Sequence, residues 1–140
     1  MPGVEDALRW LSQAEHDLDD ALFVVTGGRH GLACFLSQQA ALKAVKALLL
    51  ASGAEAVRGH SVAELCKDAA TLDTTFEPMI KLGANLDKYY IPTRYPDSLP
   101  GGIPAEAFDA WDAEKAVMTA KTIISHVQTL IPASTVTGDD

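Results

Sequence analysis

The sequence predicts an all-α protein: an antiparallel four-helix up-and-down bundle with a short extra helix and a long Pro/Tyr-rich loop before the last helix. Apolar residues recur at steps of three and four along most of the chain. No Val/Thr-rich alternation of the kind a strand needs interrupts them. Glycines, prolines and one capping motif cut this periodicity into segments of helical length.

The first helix is expected over residues 4–26. Ala7, Leu11, Ala14, Leu18, Leu22 and Val25 trace one face, and Glu15, Asp17, Asp19 and Asp20 are placed off it. Gly27-Gly28 closes the segment. The second helix, residues 31–52, is apolar nearly all round: Leu32, Phe35, Leu36, Leu42, Val45, Leu48 and Leu49 cover much of its circumference. Such a helix belongs at the centre of a fold or in an oligomer interface. Ser61 and Glu64 in "HSVAEL" form an S-x-x-E capping box, which starts a short helix to about Ala70. Another helix is expected over 74–86. Pro104 suits the first turn of the last helix, whose inner stripe is Ala113, Ala116, Val117, Ala120, Ile124 and Val127. Pro132 ends it, leaving residues 1–132 as one domain and 133–140 as a flexible tail.

The chain of 140 residues, 48% hydrophobic and 21% charged, has the make-up of a single globular domain. A formal net charge of −8 repels phosphate backbones at long range and argues against DNA as a partner. It leaves room for a local basic site. Continuous apolar runs such as "ALLLA", Ala47 to Ala51, fall far short of the roughly 20 residues that cross a bilayer. Cys34 and Cys66 have no CxxC partner and no leader peptide precedes them, so reduced thiols and a cytoplasmic location are expected.

The stretch "DKYYIPTRYPDSLPGGIP", Asp87 to Pro104, departs from all this. Its prolines fix their own backbone angles, and Pro96 pushes Tyr95 towards an extended conformation. Arg94 and Asp97 are thus presented on a stiffened loop. Long loops in compact domains are commonly functional. In one reading Arg94 grips a phosphate while a tyrosine face stacks a base. In the other, Tyr89, Tyr90 and Tyr95 seal the bundle end while Asp97 holds Arg94 or a lysine of the second helix. Lys43 and Lys46 lie three apart on that helix, with Gln38 and Gln39 one turn earlier. Arg94, Tyr95, Asp97, Lys43, Lys46 and Gln39 form the candidate ligand site. The lysines also fit plain solvated ends.

"FLSQQAALKAVKALLLASG", then "GHSVAEL", then "LDKYYIPTRYPD" and an alanine-stepped last helix resemble the HEPN family over about Leu8 to Ile131. Leu42 departs from the pattern, since many members have Glu before the first lysine of the second helix. The resemblance implies a small helical-bundle domain that dimerises through bundle helices. It also implies frequent pairing with a small nucleotidyltransferase in toxin–antitoxin-like modules. Catalytic members carry Arg followed after four to six residues by His near the start of the last helix. Here the first histidine after Arg94 is His126, much too far away, and the formal match Arg9 to His16 falls on the first helix.

No catalytic residue, metal ligand or cofactor is therefore assigned. The expected function is a nucleotide- or partner-binding HEPN module acting as a homodimer, with a nucleotide or RNA phosphate as possible ligand. An RNA-cleaving toxin with an atypical site, or a purely structural dimer, are the alternatives. His16 and Asp20, spaced i, i+4, make no defined metal site by themselves.

Overall fold

The computed structural model describes residues 2–131, and among them every regular element is helical. The expected end at Pro132 and the tail 133–140 lie outside the described residues. The helices are α1 (Pro2–Thr26), α2 (His30–Ala51), α3 (Val62–Leu72), α4 (Glu77–Asp87), α5 (Pro104–Ala107) and α6 (Ala110–Leu130). Single 3-10 turns occupy Thr74–Phe76 and Pro96–Ser98.

α2 is the core of the bundle and packs against α1, α3, α4, α5 and α6. Its length and apolarity would suit a membrane span, but those residues are consumed by packing. Ala33, Cys34, Ala40, Ala41, Ala44, Val45 and Ala47 have no accessible surface. Alanine is what lets five neighbours approach one helix on so many sides. At the far end α1 comes close enough that a Cβ on Gly3 would lie 2.9 Å from the Leu50 carbonyl oxygen. α2 and α6 start at the same end, where a Cβ on Gly31 would meet the Pro104 carbonyl oxygen at 3.3 Å and Phe108 at 3.4 Å. The α3–α4 turn is tied to the last helix by Thr75 Oγ1 and His126 Nε2, 2.7 Å apart, and by Phe76 edge-on to the His126 ring.

Three local expectations need correction. The last helix does not begin at Pro104, which opens only the one-turn α5. Phe108 and Asp109 are extended, and α6 starts after Asp109 in a reciprocal capping box with Asp112. The carboxylate cap there satisfies first-turn N–H groups that a continuous helix from Pro104 would have used internally. Those bonds hold the Asp109 carboxyl below its ordinary range.

The Ser61–Glu64 box is only half made. Ser61 Oγ accepts from the Glu64 N–H, but the Glu64 side chain turns to Lys67 instead. The first turn of α3 is satisfied from another element: Asp87, at the end of α4, accepts from the N–H groups of Val62 at 2.8 Å and Ala63 at 3.1 Å, and from Ser61 Oγ at 2.7 Å. A carboxylate at a helix start also sits favourably in the helix dipole.

Asp17, expected off the buried face, is in fact buried between α1 and α2. Its carboxylate accepts from Lys43 Nζ and, at 2.9 Å, from Gln13 Nε2. Helical periodicity could not place it because the partner that makes its burial tolerable lies on another helix.

Candidate functional site

The Asp87–Pro104 segment folds back tightly instead of reaching outwards. Arg94 N–H donates to the Ile91 carbonyl at 2.9 Å, and Tyr95 N–H to the same oxygen at 3.1 Å. Thr93 is buried, and its hydroxyl donates to the carbonyls of Tyr89 and Tyr90. Tyr95 is extended, as a residue before proline should be, and Pro96–Ser98 then makes one 3-10 turn. The segment on either side of Arg94 is therefore tied down by its own hydrogen bonds and projects Arg94 from that base.

The Arg94 guanidinium lies over the Phe35 ring of α2, 4.9 Å from its centroid. Phe35 stacks on Tyr90 with centroids 6.4 Å apart, and Tyr90 on His60 with centroids 5.3 Å apart and an interplanar angle of 11°. A guanidinium bound through its face keeps its in-plane N–H donors free. Among the described residues no carboxylate forms an ion pair with Arg94, and Asp97, exposed on the 3-10 turn, does not hold it. Tyr95 is 55% exposed, so of the three tyrosines only Tyr89 and Tyr90 help to close the bundle end. Tyr89 packs edge-on to Phe108, and burial pushes its phenol up to about 12.

Beside Arg94 opens a cleft of about 400 Å³ between the α1–α2 turn, the loop and α5. Arg29, His30, Thr93, Arg94, Pro96 and Ile103 contribute to its lining. Arg29 caps α2 without a side-chain hydrogen bond, and the first turn of α2 carries no acidic residue. Its leading N–H groups add positive potential to that of the two arginines. The His30 Nδ1 atom is buried with no hydrogen-bond partner among the described residues.

Lys43 and Lys46 are not beside Arg94. Lys43 faces α1, where it is paired with Asp17. Lys46 lies over the Trp10 ring, 5.5 Å from its centroid, and burial followed by Lys43 lowers its pKa. Gln39 Nε2 donates to Gln38 Oε1 at 2.8 Å, while Gln38 itself is buried and donates to the His60 carbonyl and to Asp87. The expected common groove of Arg94, Lys43 and Lys46 is therefore two separate places along α2, and only Arg94 lines the cleft. Arg29, His30, Phe35, Tyr90 and His60 were not singled out from the sequence for this site. "GGRHG" reads as a turn, and only its packing against α5 turns it into a wall.

Arg9 and His16 do not meet. Arg9 is exposed and pairs with Asp6, and His16 is exposed farther along α1. Cys34 and Cys66 are free and buried, and burial pushes both thiols up to about 12.

The HEPN domain model matches residues 7–130. A crystal structure from Thermus thermophilus is similar at 40% identity and a TM-score of 0.83, covering 88% of this chain and 96% of that one. An archaeal HEPN homologue is 40% identical with a TM-score of 0.73, covering 91% and 97%. An HEPN domain protein from Thermotoga maritima is 30% identical with a TM-score of 0.55, covering 94% and 98%. No curated protein matches.

Proposed function

This chain belongs to the HEPN domain family, and we propose that it acts as a binding module whose ligand site is the cleft between Arg94 and the start of α2. The single observation that carries this reading is the state of Arg94: exposed, ordered on Phe35 and without a carboxylate partner among the described residues. A cation held in place with its donors free is prepared for an anion, and a nucleotide phosphate is the ligand class it suits.

A cytoplasmic module of this kind, working as a homodimer and paired with a nucleotidyltransferase in a toxin–antitoxin-like system, fits the family. Exposed Phe23, Trp111 and Met118 supply apolar area for protein partners. A solution mass near the single-chain 14.9 kDa at micromolar concentration would exclude the dimer. RNA cleavage is the weaker reading, because Arg9 and His16 stand apart and exposed.

The direct test is nucleotide titration of the wild type and Arg94→Ala by calorimetry, with a short single-stranded RNA alongside. We expect nucleotide binding that Arg94→Ala abolishes. Binding of equal strength in both proteins would place the site elsewhere.

A further inference from the structure

Arg94, Phe35, Tyr90 and His60 form a run of planar groups, each within stacking distance of the next. The run leaves α2 at Phe35 and returns to it at Gln38, whose Nε2 donates to the His60 carbonyl at 3.0 Å. Phe35 and Gln38 are three residues apart and so lie on one side of the helix. Three segments that are remote in sequence are joined in this circuit: α2, the connection before α3 and the loop after α4. Both ends of the supporting part are fixed. The Tyr90 N–H donates to the Asp87 carbonyl at 3.3 Å, and the Asp87 side chain receives the first turn of α3, immediately after His60.

The run links Arg94 through three rings to the segment just before α3. Its consequence is mechanical. An arginine side chain alone has many rotamers, and holding one of them in advance removes an entropic cost from binding. We propose that Tyr90, backed by His60, is a positioning residue that holds Phe35 and, through it, the Arg94 guanidinium at the cleft. The gain in affinity rests on the cleft being the binding site, whereas the ordering of Arg94 does not.

The two parts are separable with the full chain, ¹⁵N-labelled, and inorganic pyrophosphate as probe. In the wild type the Arg94 Nε–H resonance is expected upfield under the Phe35 ring current, with a positive heteronuclear NOE. In Tyr90→Leu it should move to the position of a free arginine and lose that NOE, while Tyr90→Phe, which keeps the ring, restores both. Pyrophosphate affinity should fall about five- to tenfold in Tyr90→Leu, the range expected for releasing one ordered side chain. Should Tyr90→Leu fail to fold, His60→Ala, at the exposed end of the run, is expected to move the resonance the same way by less. An Arg94 resonance unmoved in every folded variant overturns the positioning role. A resonance that moves in a wild-type background that does not bind pyrophosphate supports the positioning role and removes the anion-site reading of the cleft.

Discussion

Lys43 ends on a carboxylate, and Arg94, which rests on α2 two helical turns nearer its start, ends on a ring. Lys43 has only 26% of its side chain exposed, and its partner Asp17 only 9%. A charge so far withdrawn from water needs an opposite charge, so the pair is committed to joining α1 to α2. Arg94 remains in solvent and needs no such partner. Its flat, weakly hydrated face rests on Phe35 while its edge stays available. Two cations along one helix thus have different prospects, decided by how much water each retains. The closed pair joins two helices, and the open cation keeps its in-plane donors unpaired among the described residues.

The largest effect should come from breaking the closed pair. Asp17→Ala leaves Lys43 without its acceptor, and we expect a loss of about 3 kcal/mol in denaturant unfolding. That is the low end for a broken buried pair, because Lys43 keeps some access to water. Asp17→Ala combined with Lys43→Met should recover much of it, since an apolar pair often substitutes without loss. A single-variant loss as small as that of a surface charge would erase the distinction between the two regions.

The same contrast holds for backbone packing. A Cβ on Gly83 would lie 2.9 Å from the Ala63 amide nitrogen and 2.9 Å from Val62 Cγ1, whereas one on Gly101 would meet nothing within 4 Å. Gly83→Ala must push α4 away from α3 and strain the Asp87 contacts. A cost of roughly 1–3 kcal/mol is expected. Gly101→Ala in the loop should change stability by no more than about 0.5 kcal/mol. Thermal melts of the two variants compare the regions directly.

These cases also show what could be read from the chain. The central role of α2 was legible because leucine, valine and alanine occupy nearly its whole circumference, which no surface helix tolerates. Gly27-Gly28 and Ser61 marked real boundaries for the same local reasons that such residues mark them elsewhere. Asp17, Asp87 and Gly83 were not legible, since each depends on a partner from another helix. The candidate site divided along the same line. The loop identified Arg94 through its own stiffness, but the wall opposite comes from Arg29 and His30, some sixty residues earlier by sequence number. Helical spacing placed Lys43 and Lys46 together correctly, yet could not show that α1 supplies an acid and an indole to receive them.

The smallest stability effect should be at the loop itself. Arg94→Ala removes one cation–ring contact at an exposed site, worth about 0.5–1 kcal/mol. Asp97→Ala removes an exposed carboxylate with no ion-pair partner among the described residues, so about 0.5 kcal/mol or less is expected. The two variants should therefore melt close to the wild type and differ in binding, with Arg94→Ala inactive and Asp97→Ala close to normal. An internal clasp makes the opposite forecast. If Arg94 and Asp97 were a withdrawn pair like Lys43 and Asp17, either substitution would strand a charge and cost roughly 3–5 kcal/mol. Equal and large losses in both melts would put the loop in the closed class and end its candidacy as a ligand site. Small losses with binding lost only in Arg94→Ala would establish that the stiff segment between α4 and α5 is kept to hold out a cation.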